Sequence, residues 1–189
     1  MKKFWSVFMF AALVMAGFTL ASCGDDDDDN ATPTWFSQQY SGAYTAIDSV
    51  NIMGSTDPMW GAKTGSAVTY IITAVSDSAI DVTIPAEGYN GIFMVNDVSM
   101  GQYTIHNIAW NADSQAFYKN YGKTAAAEGL ELPHFSSTGM KINDRNFAFS
   151  EDSSIKVWKG ADGKLNIINT FKPGTMPFPI YVIFSGTKE

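Results

Sequence analysis

Apolar residues change their spacing once along this chain, and the change divides it in two. From Phe4 to Leu20 (FWSVFMFAALVMAGFTL) they run almost without interruption. Beyond residue 34 they alternate with polar residues at the two-residue period of half-buried strands. In SAIDVTIP, Ile80, Val82 and Ile84 point one way, and Asp81 and Thr83 the other. The preceding AVTYIITAV carries β-branched residues on both faces, and Ser76-Asp77-Ser78 between the two runs predicts a hairpin. NFAFS places Phe147 with Phe149, and SIKVWKG places Ile155 with Val157. KLNIINTF aligns Leu165, Ile167 and Phe171 on a face shared with Asn169. PIYVIFSG aligns Ile180, Val182 and Phe184, with Pro179 at its first position, where no ladder donor is lost. Asp162-Gly163 predicts a two-residue hairpin turn with positive φ at both central positions.

Adding YSGAYTAI, GIFMVNDV and GQYTIHNI gives eight or nine short strands, mostly in hairpin order. No stretch beyond residue 34 has the pattern of a helix of about 12 residues or more, and the best short candidate, KTAAAEGL (Lys123 to Leu130), is interrupted by Gly129. The fold class is therefore all-β: an eight-stranded (eight or nine) antiparallel up-and-down meander, barrel or barrel-like, with at most one short helix. A meander of this size either closes into a barrel or folds as a sandwich. Closure would remove exposed strand edges. The segment Ser114 to Gly139 departs from regular alternation and leaves the strand count open.

The apolar run at the start is preceded by Lys2 and Lys3 and followed by the small residues Ala21 and Ser22. A charged start, an apolar stretch and a small-residue site are the order of a secretory signal, although the run is nearly long enough for a membrane helix. Leu20-Ala21-Ser22-Cys23, which holds the only cysteine, resembles the lipobox of bacterial lipoproteins. That resemblance implies cleavage before Cys23 and acyl chains on it, several of them being needed for a stable anchor. The expected organisation is a signal peptide over 1–22, a lipidated cysteine and acidic tether over 23–34, and a β domain over 35–189.

Asp25, Asp26, Asp27, Asp28 and Asp29 follow the cysteine almost at once. Packed like charges repel and stay solvated, so the segment reads as an extended spacer. It also resembles the signal that exports lipoproteins of some Gram-negative gut anaerobes to the outer face of the outer membrane; a periplasmic location without that address value stays open. Of 12 basic residues in the chain, two precede the cleavage site, while all 19 acidic residues follow it. That balance argues against nucleic acid as a partner, since it lacks clustered Lys and Arg. With the thiol consumed by lipid, no disulfide is left to form, and the domain must stand on its own core.

A second resemblance rests on the ends of the domain. Tyr40-Ser41-Gly42, Gly163-Lys164-Leu165, Met176-Pro177-Phe178 and Phe184-Ser185-Gly186 look like the calycin-like or lipocalin-like domains of bacterial lipoproteins. Such a resemblance implies an eight-stranded barrel-like meander and carries no catalytic or ligand residue that can be transferred.

Chemistry is sparse. His106 alternates with Thr104, Ile108 and Trp110, and His134 follows Pro133; without carboxylate partners at ligand spacing they make no zinc site. Neither a metal nor another cofactor is expected. Lys63-Thr64-Gly65 and Ser153-Ser154-Ile155-Lys156 match two elements of the β-lactamase set in reversed order and without S-D-N. Gly122-Lys123-Thr124 lacks the first glycine of a phosphate loop, Phe117 standing in its place. Glu128, Glu131, Asp81 and Asp97 are the carboxylates a glycosidase-type hydrolase would draw on, and each is equally explained as solvent-facing charge. Small barrels hold either their own side chains or one small ligand, so the aromatics Trp60, Trp110, Phe117, Tyr118 and Trp158 are core, cavity lining or an exposed stacking platform. If Ile155 and Val157 face inward, Trp158 turns outward beside Lys156. Trp110 and Trp158 are the ligand-binding candidates, with an unknown small molecule, glycan or protein as partner. Asp48-Ser49-Val50 and Asp77-Ser78-Ala79 resemble O-glycan acceptor sites at Ser49 and Ser78 in exported proteins of the same bacterial group. The expectation is a non-enzymatic binding or interaction domain; its rivals are a carrier of a small hydrophobic molecule inside the barrel and a hydrolase.

Overall fold

The structure, a computed structural model, describes residues 35–174 and 176–189. Cys23 and Asp25 to Asp29 lie outside the described residues. Among the described residues there are fourteen strands: β1 (Gly42–Ala46), β2 (Ser49–Ile52), β3 (Gly61–Lys63), β4 (Val68–Ser76), β5 (Ala79–Ile84), β6 (Glu87–Ile92), β7 (Asn96–Met100), β8 (Tyr103–Asn111), β9 (Ala116–Lys119), β10 (Glu131–Ser137), β11 (Ile142–Ala148), β12 (Ser154–Lys159), β13 (Leu165–Phe171) and β14 (Ile180–Lys188). Eight of them close an antiparallel barrel in the order β1-β4-β5-β8-β9-β12-β13-β14, with β14 paired back to β1. Taken in turn around the barrel these are in chain order, so the meander is up-and-down and closed.

The barrel's first strand is bent. Tyr44 pairs with Lys188 in β1, and Val50 pairs with Val182 in β2, so both segments keep one register against β14. Between them Ile47 is exposed and Asp48 is buried. Past this bend β1 has left β4 behind, and the short β3 takes its place beside β2, Ser49 facing Lys63 and Asn51 facing Gly61.

Inward positions follow the expected alternation. Ile80, Val82, Ile84, Ile155, Val157, Leu165, Ile180 and Val182 are all at most 1–2 % exposed. Tyr70 and Phe184 meet with ring centroids 4.3 Å apart. Gly186 shares the inward row of Phe184, and a Cβ there would lie 2.2 Å from the Phe184 ring. The barrel interior is thus occupied by its own side chains.

Both ends are covered. At one end, beside the Asp77-Ser78 turn, a 3₁₀ helix (Phe36–Tyr40) docks through Phe36 N to Asp77 Oδ1 (2.7 Å), Ser37 N to Asp77 O (3.1 Å) and Lys159 Nζ to Gln39 O (2.5 Å). Its Phe36 and Tyr40 pack edge-on or stacked against Trp110 and Phe117. At the other end the connections β5–β8 and β9–β12 are expanded into the hairpins β6–β7 and β10–β11, which join as a second sheet in the order β11-β10-β7-β6.

Three local expectations change. GIFMVNDV is not one strand but the tip of the β6–β7 hairpin, with Met94 and Asn96 in the left-handed region at φ 66° and 51°. The Asp162-Gly163 turn is longer than two residues: Gly160 N donates to Lys164 O, and Gly163 alone takes positive φ (78°), which is the three-residue hairpin geometry. His106 leaves the face of Ile108 because β8 bulges between Ile105 and Ile108, with Asn107 at φ 53°. Asp81 opposite the bulge holds it, accepting from Asn107 N at 2.8 Å and contacting His106 Nδ1 at 2.7 Å. The predicted short helix is observed as α1 (Ala125–Glu128), closed by Gly129 in the left-handed region.

Candidate functional site

The chemistry concentrates where β2, β3 and β6 meet. Asp48, at the bend of the first strand, turns inward because the side-chain alternation of Tyr44, Val50 and Ile52 carries through it. Glu87 opens β6 and is 4 % exposed, against 1 % for Asp48. Tyr70 Oη reaches Asp48 Oδ2 at 3.0 Å and donates a shorter bond to Glu87 Oε1, while Tyr89 Oη donates to Glu87 Oε2 at 2.8 Å. Thr64 ties β3 into the group: its N–H donates to Asp48 O, its hydroxyl accepts from Asp48 N, and it bridges to Tyr89.

Two carboxyls buried side by side cannot both ionise cheaply. Burial, followed by the Asp48 charge, pushes Glu87 up to about 9, and burial likewise raises Asp48. At neutral pH the pair therefore holds a proton. Asp48 Oδ1 has no hydroxyl or amide donor, and the protonated Glu87 carboxyl is the donor it can draw on. A second polar group continues the network into the barrel: Tyr121 Oη donates to Asn169 Oδ1 (2.9 Å), and Asn169 Nδ2 donates to Tyr103 Oη (2.7 Å). This explains Asn169, the one polar residue in the inward row of β13. Buried together, these groups have no access to a substrate. They fasten the second sheet to the barrel.

On the outer face of the same hairpin the surface is open. A groove of about 270 Å3 is lined by Ser49, Asn51, Asp57, Gly61, Lys63 and Ile183, among others. Ile183, Ser49 and Lys63 stand in register across β14, β2 and β3. The loop from Met53 to Trp60 arches beside them, anchored by Asn51 Nδ2 to Ser55 O and by Asp57 Oδ1, which caps Met59 N at 3.0 Å. Gly61 passes close to the β2 backbone, where a Cβ would lie 2.8 Å from Val50 O. The same loop bears a string of uncovered apolar residues. Met53 and Met59 are 57 % and 50 % exposed, and Phe93 and Met94 at the β6–β7 tip 43 % and 61 %. Trp60 meets Phe93 edge-on at 4.8 Å, and Phe93 N donates to Met59 O, so the two tips form one patch.

Among the sequence candidates, Trp110 is half-buried in the aromatic cluster under the 3₁₀ helix. Trp158 turns outward as expected, with Lys156 Nζ 5.4 Å from its ring centroid. Ser78 is exposed in its turn, and Ser49 is half-buried on the groove floor. Each of the four surface carboxylates has its own partner: Asp81 serves the β8 bulge, Asp97 accepts from Gly91 N (3.3 Å), Glu128 pairs with Lys119 (2.8 Å), which also donates to His106 O, and Glu131 accepts from Asn146 (3.3 Å). His134 contacts Asp144 at 3.0 Å. No cluster of three or more His, Cys, Asp or Glu able to hold a metal occurs among the described residues. Sequence reasoning missed the Asp48–Glu87 pair, whose one signal was an acidic residue at an inward position of a strand.

A closed eight-stranded up-and-down barrel is the deciding feature, and residues 40–187 match the model of the calycin-like beta-barrel domain. The chain belongs to that family. Calycin-like barrels are typically non-enzymatic binders. A solved structure of a "putative outer membrane protein" from Bacteroides fragilis is similar at 17 % identity and a TM-score of 0.49, over 81 % of this chain and 52 % of that one. The chain thus spans about half the length of that protein. No curated protein matches.

Proposed function

We propose that this calycin-like chain is an outer-membrane lipoprotein, held by acyl chains on Cys23, spaced and displayed at the cell surface by Asp25 to Asp29, whose barrel binds a partner at its outer surface without catalysis. The organisation is signal peptide 1–22, tether 23–34 and binding domain 35–189. One contrast carries the binding reading: the barrel interior is filled by its own side chains, whereas Met59, Phe93 and Met94 gather uncovered on one patch beside an open groove. Exposed apolar clusters rimmed by polar residues mark interaction sites. The filled interior favours surface contact over a hydrophobic cargo, and the buried Asp48–Glu87 pair is closed to a substrate. A glycan or a protein suits the face; nucleic acid does not, given the acidic balance.

The test compares the full-length chain with a triple variant Met59→Ser, Phe93→Ser, Met94→Ser for retention of envelope glycans and proteins from the native cells. Wild type should retain a partner that the variant loses while its melting temperature stays within a few degrees. Equal retention by both sinks the reading. For the anchor, the mass of material from native membranes should show a cleaved chain acylated at Cys23; an intact leader overturns it. Replacing the five aspartates with alanine should remove the chain from the reach of external protease. Occupied O-glycan sites at Ser49 or Ser78 would add mass beyond lipid, Ser78 being the better presented of the two.

A further inference from the structure

The groove between β14, β2 and β3 has a chemical polarity of its own. Lys63 and Asp57 both line it, yet neither forms an ion pair with another described residue. Asp57 uses Oδ1 to cap Met59 N, which leaves Oδ2 uncommitted among the described residues. Between the charges the floor is aliphatic, formed by Ile183 (43 % exposed), Ala62 and Pro58, and no lining residue is aromatic. Sugar sites lean on an aromatic face for stacking, so this groove lacks the platform a sugar ring would use. Its volume of about 270 Å3 lies under the ~300–1,000 Å3 of drug-sized sites, which limits the occupant to a small molecule.

We propose that this groove binds a small zwitterion of the α-amino-acid class with an aliphatic side chain, its ammonium toward Asp57, its carboxylate toward Lys63 and its side chain on Ile183. The assignment rests on the reading that the domain binds at its outer surface. Opposite charges held apart in one groove are complementary to a ligand that carries both, and the open setting keeps each contact modest.

Titration calorimetry on the full-length chain in detergent tests this with three probes: L-leucine, L-leucine amide, which lacks the negative charge, and N-acetyl-L-leucine, which lacks the positive one. Leucine should bind, and each single-charge analogue should bind about fivefold more weakly. Lys63→Gln should erase the preference for leucine over its amide. Asp57→Asn, whose side-chain oxygen still caps Met59 N, should erase the preference over N-acetyl-leucine. Equal binding of all three probes, or unchanged preferences in both variants, overturns the proposal. Absence of leucine binding overturns it too; if retention through the Met59/Phe93/Met94 patch persists in that case, the surface-binding reading stands without it, and if retention fails as well, both fall.

Discussion

Glu87 is the residue whose environment departs furthest from its sequence neighbourhood. Read along the chain, it is an acidic residue at the start of a strand; in the fold it is 4 % exposed, beside Asp48 and beneath two tyrosine hydroxyls. Its carboxyl is raised to about 9, so folding takes up a proton that the unfolded chain releases near pH 4.5. Stability from this group is therefore fully present below the ordinary carboxylate range and is lost as pH climbs toward 9, on the order of 1 kcal/mol per pH unit. Asp48, also raised, acts with the same sign. Glu87→Gln keeps an acceptor for Tyr70 and a donor for Asp48 but cannot ionise. Its melting temperature should fall less steeply than that of wild type between pH 5 and 9, Asp48 alone still titrating, and cross above it as pH rises. Parallel pH profiles for the two proteins would show that the acid pair is not proton-linked.

At the scale of elements, alternation made the barrel strands legible and the insertions illegible. Ile80-Val82-Ile84 and Ile180-Val182-Phe184 face a core on one side and solvent on the other, so a two-residue period marks them directly. The second sheet is built from strands such as β11, most of whose residues are exposed, and β6, whose apolar residues Tyr89 and Ile92 straddle a register shift; neither keeps the period. Bulges hide in the same way. At His106 an extra residue shifts the parity of β8, and the signal is not in β8 at all but in Asp81 on the neighbouring strand. The groove was equally silent, because Ser49, Asn51 and Lys63 converge only through pairing across strands. The 3₁₀ helix Phe36–Tyr40 also lacks a sequence period, yet it covers the end where Phe117 is fully buried. A chain lacking residues 35–40 should bind a hydrophobic dye such as ANS and melt at least several degrees lower, since Tyr40 and Phe36 supply the cover on Phe117 and Trp110. A dye-silent truncation with unchanged melting would mean the barrel end closes without its helix.

For the molecule as a whole, closure depends on one seam between its two ends in sequence. Every other barrel pairing joins segments that follow one another around the meander, whereas β1 meets β14 across more than 140 residues, through Tyr44↔Lys188, Thr45↔Thr187 and the bond from Glu189 N to Ala43 O. Long-range pairs are entropically the last to repay their cost, so the seam is the natural place for the barrel to open first. It is also short, because the bend at Ile47–Asp48 hands the rest of β14 to β2. Removing Gly186 to Glu189 deletes the β14 side of the seam while leaving β14 paired with β13 and β2 over Ile180 to Ile183. That truncation should speed amide exchange in β1 and the end of β14 before it does so in β12 or β13, and the freed edge of β1 should promote concentration-dependent association. Uniform acceleration across all eight strands would show instead that the barrel opens as a single unit with no privileged seam.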